Sequence, residues 1–207
     1  MITKPSAATV TLWGPPLALL VLIGLLEALR PWVHELLSYQ RGRILDGELW
    51  RLLSGNLVHL GAWHAFLNGL GVLVFVLLCP VHWGPWGWLW RLGVLGLGMS
   101  LGLLFLQPQL DGYVGLSGVI HGLFLLGLWP QVRRGDLIAG GCLLYLIGKL
   151  GWELYAGAPV SDEAAIGGRV IVESHLYGSL TAGLLLMLHG GLTHLRRIAD
   201  VRDLPPH

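Results

Sequence analysis

Six stretches of this chain are apolar for long enough to cross a bilayer, at about 12–29, 55–79, 86–107, 114–130, 137–155 and 172–190. A span needs roughly 20 mostly apolar residues. Period-two alternation is absent. A backbone in lipid must also satisfy its own hydrogen bonds, so each stretch is predicted to be a helix. The connections are short except for 30–54, which is rich in Trp, Arg and acidic residues and is predicted to be folded rather than slack. No internal repeat is visible. The pattern predicts an all-α membrane protein: one compact six-transmembrane-helix bundle, a single domain over residues 1–207.

Composition agrees with this picture. The 207 residues are 54% hydrophobic and 12% charged, with mean hydropathy +0.67; soluble domains carry about 25% charged residues. Lys4 ahead of an apolar run resembles a signal peptide. No small-residue cleavage site follows, however, and the run ends Glu27-Ala28-Leu29-Arg30-Pro31, so a retained helix entered through Pro15-Pro16 is expected. A net charge of +1 without a basic run predicts no nucleic-acid partner. The expected partners are the lipid bilayer and membrane-anchored proteins. Cys79 and Cys142 fall in spans and read as two buried thiols.

With six spans both termini share one side. That side collects Lys4, Arg91, Arg133, Arg134, Arg196, Arg197 and Arg202 against Asp136, Asp200 and Asp203. The other side mixes Arg30, Arg41, Arg43, Arg51 and Arg169 with six acids. The short-loop excess of Lys and Arg places the termini in the cytoplasm.

The candidate chemistry lies in three spans. Gly115-Leu116-Ser117-Gly118 puts a hydroxyl among glycines, and Gly115, Gly118 and Gly122 recur at helical spacing. His175, Gly178, Ser179 and Ala182 share a face of the sixth span. Two small-residue faces let helix backbones approach closely, and each here carries one member of a nucleophile–base pair, Ser117 and His175. A serine in a helix more commonly bonds back to a carbonyl one turn earlier, and the glycines alone need no enzyme. His64 and Asn68, spaced i,i+4, together with the Ser117 N–H, are candidate oxyanion donors; on spacing alone, interhelical hydrogen bonding fits them equally well. His59 reads as a tie between the first loop and the helix end. Ser117, His175, His59 and His64 all fall near the non-cytoplasmic ends of their spans, where a shallow cavity could admit water.

No residue presents itself as a triad acid. Glu173 lies two residues from His175, on the opposite face, and Asp111 sits in a loop, so the arrangement reads as a Ser–His dyad. His121 could orient the imidazole by packing, or act as a second base. Lys149 and Glu153 could pair near a helix end, with snorkelling the more ordinary reading. Gly157, Gly167 and Gly168 would let 156–171 move. A transporter would show repeat symmetry, and the histidines lack metal-ligand spacing, so no cofactor and no metal are expected.

The ordered set resembles the rhomboid intramembrane serine proteases. It comprises His59, His64 and Asn68 in the second span, Gly115-Leu116-Ser117-Gly118 in the fourth, His175 in the sixth, and Leu49-Trp50-Arg51-Leu52-Leu53 in the first loop, similar to the rhomboid Trp-Arg motif. The resemblance covers nearly the whole chain. It implies Ser117 as nucleophile, His175 as general base, and His64, Asn68 and the Ser117 N–H as oxyanion hole. It also implies a site opening to the periplasm from a bacterial inner membrane. Departures include His121 where many rhomboids have Tyr, Ser174 for Ala, and Ala182 for Gly. His121, Gly115, Gly118 and Gly178 are expected to shape the site. The Gly-Leu-Ser-Gly-Val-Ile-His121-Gly122 run and the minimal length resemble the rhombosortase branch, implying removal of C-terminal Gly-Gly-type sorting tails. The same fold without activity would serve as a membrane-helix-binding protein.

Overall fold

A computed structural model describes residues 7–202, with side chains from 12 to 191. Lys4 and the side chains of Arg196, Arg197 and Arg202, part of the charge asymmetry, lie outside the described residues. The elements run α1 Ala7–Ala28, α2 Arg30–Leu37, β1 Tyr39–Gln40, α3 Arg41–Leu45, α4 Arg51–Ser54, α5 Ala62–Leu78 and α6 Pro85–Leu106. They continue with β2 Gly112–Tyr113, α7 Ser117–Val132, α8 Leu137–Ala156, α9 Glu163–Ile166 and α10 Val172–Arg202.

Each apolar stretch carries one long helix: α1, α5, α6, α7, α8 and α10. By length and composition α6 and α8 can cross a membrane, and the Leu12–Ala28 and Arg30–Leu37 pair, bent by 106°, passes the same test together. Helices α5 and α7 are apolar but shorter. The α1–α2 bend follows from Pro31, which disfavours helical geometry at the residue before it and is well placed in the first turn of a new helix. The first helix begins before Pro15-Pro16 and runs through both. Bundle neighbours can re-satisfy the carbonyls that proline leaves free. Gly84-Pro85 starts α6. The Asp136 carboxylate caps α8, accepting from Ile138 N (2.9 Å) and Ala139 N (3.0 Å), and Gly157, at φ +63, ends it.

The 30–54 segment is folded as expected. The buried Arg51 guanidinium donates to the Glu48 carboxylate (2.6 Å) and to the carbonyls of Glu35 (2.6 Å) and Ser38 (2.7 Å). Trp50 Nε1 donates to Leu36 O at 3.2 Å. A short antiparallel pairing, Tyr39 with Tyr113 and Gln40 with Gly112, ties this loop to the segment leading into α7. The apolar pattern had no period to announce so short a pair. Arg41 reaches further, donating to the Leu104 carbonyl at the end of α6.

Helix α10 lies between α6 and α7, and the contacts are made by small residues. A Cβ on Gly102 would meet the Tyr177 ring at 2.7 Å, one on Gly118 the Ser174 carbonyl oxygen at 2.6 Å, and one on Gly122 the Gly178 carbonyl oxygen at 2.7 Å. The close approach read from the glycine spacing is therefore present for Gly118, Gly122 and Gly178. It is absent for Gly115, which precedes the helix. The core around this contact includes Leu95, Val119, Leu123 and Ala182, all fully buried. Cys79 is buried and Cys142 partly so, and both are free thiols.

Candidate active site

Ser117 is the first residue of α7 rather than an interior one. The chain reaches it through Gly115, whose φ of +123° lies in a region that residues with a Cβ rarely adopt. Two hydrogen bonds hold that turn: Gly115 N to Gly55 O (3.1 Å), and Tyr113 OH to Gly115 O (2.7 Å). At a helix start the first N–H groups have no intrahelical acceptor and carry partial positive charge. The Ser117 hydroxyl thus has no preceding helical turn to bond back to. Its Oγ instead meets His175 Nε2 at 2.9 Å.

His175 comes from α10 across the glycine contact, so the backbone approach that buries Gly118 against Ser174 also delivers the imidazole. The carboxylate that meets its other ring nitrogen comes from α8. Glu153, 1% exposed, places Oε2 2.8 Å from His175 Nδ1. Its Oε1 accepts from Lys149 Nζ at 2.6 Å. The pair is therefore inserted into the site rather than snorkelling. One signal for it was readable: two ionisable residues one turn apart in an otherwise apolar span are by default a functional-site candidate.

The His121 ring lies flat on that of His175, centroids 4.1 Å apart and 12° from parallel. Its Nδ1 donates to the Ser117 carbonyl (2.7 Å) and its Nε2 accepts from Lys149 Nζ (3.1 Å). Both ring nitrogens are engaged away from the serine hydroxyl. His121, Glu153 and His175 also present ligand atoms within 4.8 Å of one another, a spacing a metal ion could use. The Lys149 ammonium already bonds two of the three, so an ion would have to displace it.

His64 and Asn68 face the same space from α5. Leu60 N donates to His64 Nδ1 at 3.3 Å, which leaves the proton on Nε2 as a donor. The ring packs against Gly115, where a Cβ would lie 2.7 Å from His64 Cε1. Asn68 Nδ2 gives one hydrogen to the His64 carbonyl (2.9 Å) and keeps a second. Both residues' hydrogen bonds are local, not interhelical. The backbone at His59, not its ring, ties the loop to the helix end; both ring nitrogens are buried without a hydrogen-bond partner among the described residues. The His59 carbonyl and that of Leu60 accept from Arg30, at 3.4 and 2.5 Å, and the His59 ring sits edge-on to His64 at 5.1 Å. Glu173 and Asp111 make no hydrogen bond to His175.

The rhomboid-domain family model matches residues 46–190, more than half of the chain and every residue of this site. The chain belongs to the rhomboid family. A relative from Bacillus subtilis (strain 168), named "Putative rhomboid protease YdcA", is 26% identical over 155 residues, covering 75% of this chain and 73% of that protein. The protein is thus a rhomboid-type intramembrane serine protease and an integral membrane protein acting on membrane protein substrates.

In this rhomboid a cavity of about 530 Å³ opens from the serine between α5, α7 and α8. Its inner end is polar (His64, Asn68, Ser117, His121, Lys149, His175) and its long wall apolar (Leu67, Val74, Phe124, Leu128, Leu146). A second cavity of about 410 Å³ lies on the other side of Ser117, against the first loop, lined by Ser38, Gln40, Leu60 and Arg169. His64, Ser117 and Val170 line both.

Proposed function

We propose that the whole chain, 1–207, acts as one domain that cleaves membrane-anchored proteins near the outer face of the membrane by acyl transfer at Ser117. The observation that carries this reading is the 2.9 Å contact of Ser117 Oγ with His175 Nε2 at the polar end of an apolar-walled cavity. Ser117 attacks the scissile carbonyl while His175 takes its proton, then returns that proton to the leaving amine. His64 Nε2–H, the second Asn68 hydrogen and the Ser117 N–H receive the developing oxyanion, each worth about 3 kcal/mol in the transition state. Gly115, Gly118 and Gly178 shape the site by letting His64 and α10 come close, and His121 shapes it by stacking.

Six crossings fit this scheme, with cytoplasmic termini and a site facing the periplasm from a bacterial inner membrane. Helix α7 has 16 residues and α5 has 17. At 1.5 Å per residue they are about 24 and 26 Å long. They fall short of a roughly 30 Å hydrocarbon core, a mismatch that thinning of the bilayer around the bundle accommodates. A substrate helix would lie along the apolar wall and unwind at the polar end. Glycine there gains the most freedom on leaving a helix, which supports the rhombosortase-like reading of Gly-Gly-type C-terminal tails as substrates.

Labelling of detergent-solubilised protein with a serine-reactive fluorophosphonate tests the chemistry. The expected adduct disappears in Ser117→Ala and His175→Ala. Labelling that survives Ser117→Ala sinks the nucleophile assignment, and no labelling of wild type points to the inactive helix-binding alternative. For the substrate class, a model membrane protein with a Gly-Gly, apolar, basic tail is expected to be cut. If it stays intact while other membrane helices are cut, the tail specificity is wrong.

A further inference from the structure

Five hydrogen bonds leave the Ser117 side chain and return to the Ser117 main chain. The path runs from Ser117 Oγ to His175 Nε2 (2.9 Å), His175 Nδ1 to Glu153 Oε2 (2.8 Å), Glu153 Oε1 to Lys149 Nζ (2.6 Å), Lys149 Nζ to His121 Nε2 (3.1 Å), and His121 Nδ1 to Ser117 O (2.7 Å). We infer that this ring sets the tautomer of His175, with Glu153 as its positioning carboxylate and Lys149 as the residue that fixes which way Glu153 faces. The inference rests on the protease reading and adds two residues to its machinery.

With Glu153 ionised and His175 neutral, one arrangement of protons satisfies the ring. A carbonyl can only accept, so His121 carries its proton on Nδ1. Its Nε2 is then an acceptor, and Lys149, which has donors and no acceptor, fills it. Lys149 donates again to Glu153 Oε1. The ionised carboxylate accepts at Oε2, which places a proton on His175 Nδ1. Nε2 of His175 is left with a lone pair facing the Ser117 hydroxyl, the form a general base needs. During attack the Oγ–C bond forms and the hydroxyl proton moves to Nε2. Glu153 keeps its charge and holds the imidazolium through Nδ1–H. When the C–N bond breaks, the Nε2 proton leaves with the amine, and water or another nucleophile resolves the acyl-enzyme.

Burial supports the assignment. Glu153 is 1% exposed, and a carboxylate that deep is held ionised only by close partners. Its partners are the Lys149 ammonium one turn earlier on α8 and the His175 ring from α10. A carboxylate serving α8 alone would not need the second, interhelical contact.

The discriminating variant is Glu153→Gln, tested in the full-length protein in detergent. Lys149 can only donate, so it holds the amide oxygen at the Oε1 place and turns the NH2 group to His175 Nδ1. That arrangement moves the imidazole proton to Nε2, where it blocks catalysis. The expected loss in kcat is on the order of 10³-fold with KM within a few-fold. Adding Lys149→Met frees the amide to flip and present its oxygen to Nδ1–H, and cleavage is expected to recover by about tenfold or more over the single variant. Spectra of 15N-histidine-labelled protein read the same change without activity: His175 carries Nδ1–H in wild type and Nε2–H in Glu153→Gln. Wild-type kcat in Glu153→Gln, or a double variant no faster than the single, overturns the inference. If Glu153→Gln does not fold, Glu153→Asp replaces it; the withdrawn carboxylate must then lower kcat at unchanged thermal stability, and an unchanged kcat overturns the inference. Wild type that is not labelled by fluorophosphonate fails the protease reading itself, whereas labelled wild type with an indifferent residue 153 fails only this proposal.

Discussion

Among the described glycines Gly178 leaves the least room for a Cβ, which makes a demanding prediction for Gly178→Ala. A Cβ at Gly178 would lie 2.6 Å from the Gly118 carbonyl carbon, with the Gly118 oxygen closer still. Neither partner is a side chain that can swing aside, so α7 and α10 must separate. Restoring an ordinary 3.4 Å contact to the carbonyl carbon alone takes about 0.8 Å. The same separation stretches Ser117 Oγ to His175 Nε2 from 2.9 Å to about 3.7 Å, outside hydrogen-bond range. Overpacking of this kind costs about 1–3 kcal/mol of stability, and a displacement near 1 Å at reacting atoms costs about 10²-fold in rate. The assay is thermal unfolding in detergent beside the rate of fluorophosphonate labelling. Gly148→Ala is the matched control: it lies inside α8 with nothing within 4 Å of its Cβ position. It is expected to label at the wild-type rate and to be stabilised by up to about 1 kcal/mol. Wild-type labelling by Gly178→Ala would show that the α7–α10 contact does not set the distance between nucleophile and base.

Gly115→Ala combines a φ of +123° with a Cβ 2.7 Å from His64 Cε1; we expect a loss of about 2 kcal/mol on thermal unfolding and impaired cleavage, and an unchanged melting curve contradicts the strain argument. Asn68→Ala removes a candidate oxyanion donor, so kcat for substrate cleavage is expected to fall about 10²-fold with KM little changed; a pure KM effect would assign Asn68 to substrate binding. Arg51→Ala removes the donor to the buried Ser38 carbonyl and one of two side-chain donors to the Glu35 carbonyl, the other being Gln40 Nε2, and is expected to cost about 3 kcal/mol and to expose the 30–54 loop to protease. The Arg51 hydrogen bond, opposed by partial desolvation and helped by Arg43, holds the Glu48 carboxyl below its usual value of 4.5. Its stabilisation is therefore complete above about pH 4.5 and declines as pH falls through the lowered folded-state value; this acid-side slope in melting temperature is expected to shrink in Arg51→Ala.

What the sequence made legible depends on how far apart the interacting residues are. The six apolar stretches read directly as helices because each is a local pattern of one residue class. The α7–α10 contact was also readable, since Gly118, Gly122, Gly178 and Ala182 mark one face each and their smallness is itself the mechanism of close approach. Spacing alone puts Gly115 on the α7 face, because a three-residue spacing looks helical whether or not the helix has begun. Only the positive φ and the His64 ring packed against it reveal a turn. The β1–β2 pair escaped because two residues hold no period. The 30–54 loop was legible as folded from its composition, but not that Arg51 would be its centre.

Glu153 shows why the polar network was the hardest part to read. Its five linked contacts join residues of α7, α8 and α10, and no spacing along the chain encodes them. The acids nearest Ser117 and His175 along the chain, Asp111 and Glu173, make no hydrogen bond to either. Snorkelling is the ordinary reading of Lys149 and Glu153 in the sequence; an energetic criterion weighs against it. A carboxylate in an apolar span is expensive unless it is paired, and Lys149 one turn away pairs only one of its two oxygens. The second oxygen finds its partner on another helix, at His175 Nδ1. In the proposed mechanism His175, buried on α10, needs its proton on Nδ1 and is the residue with a matching need.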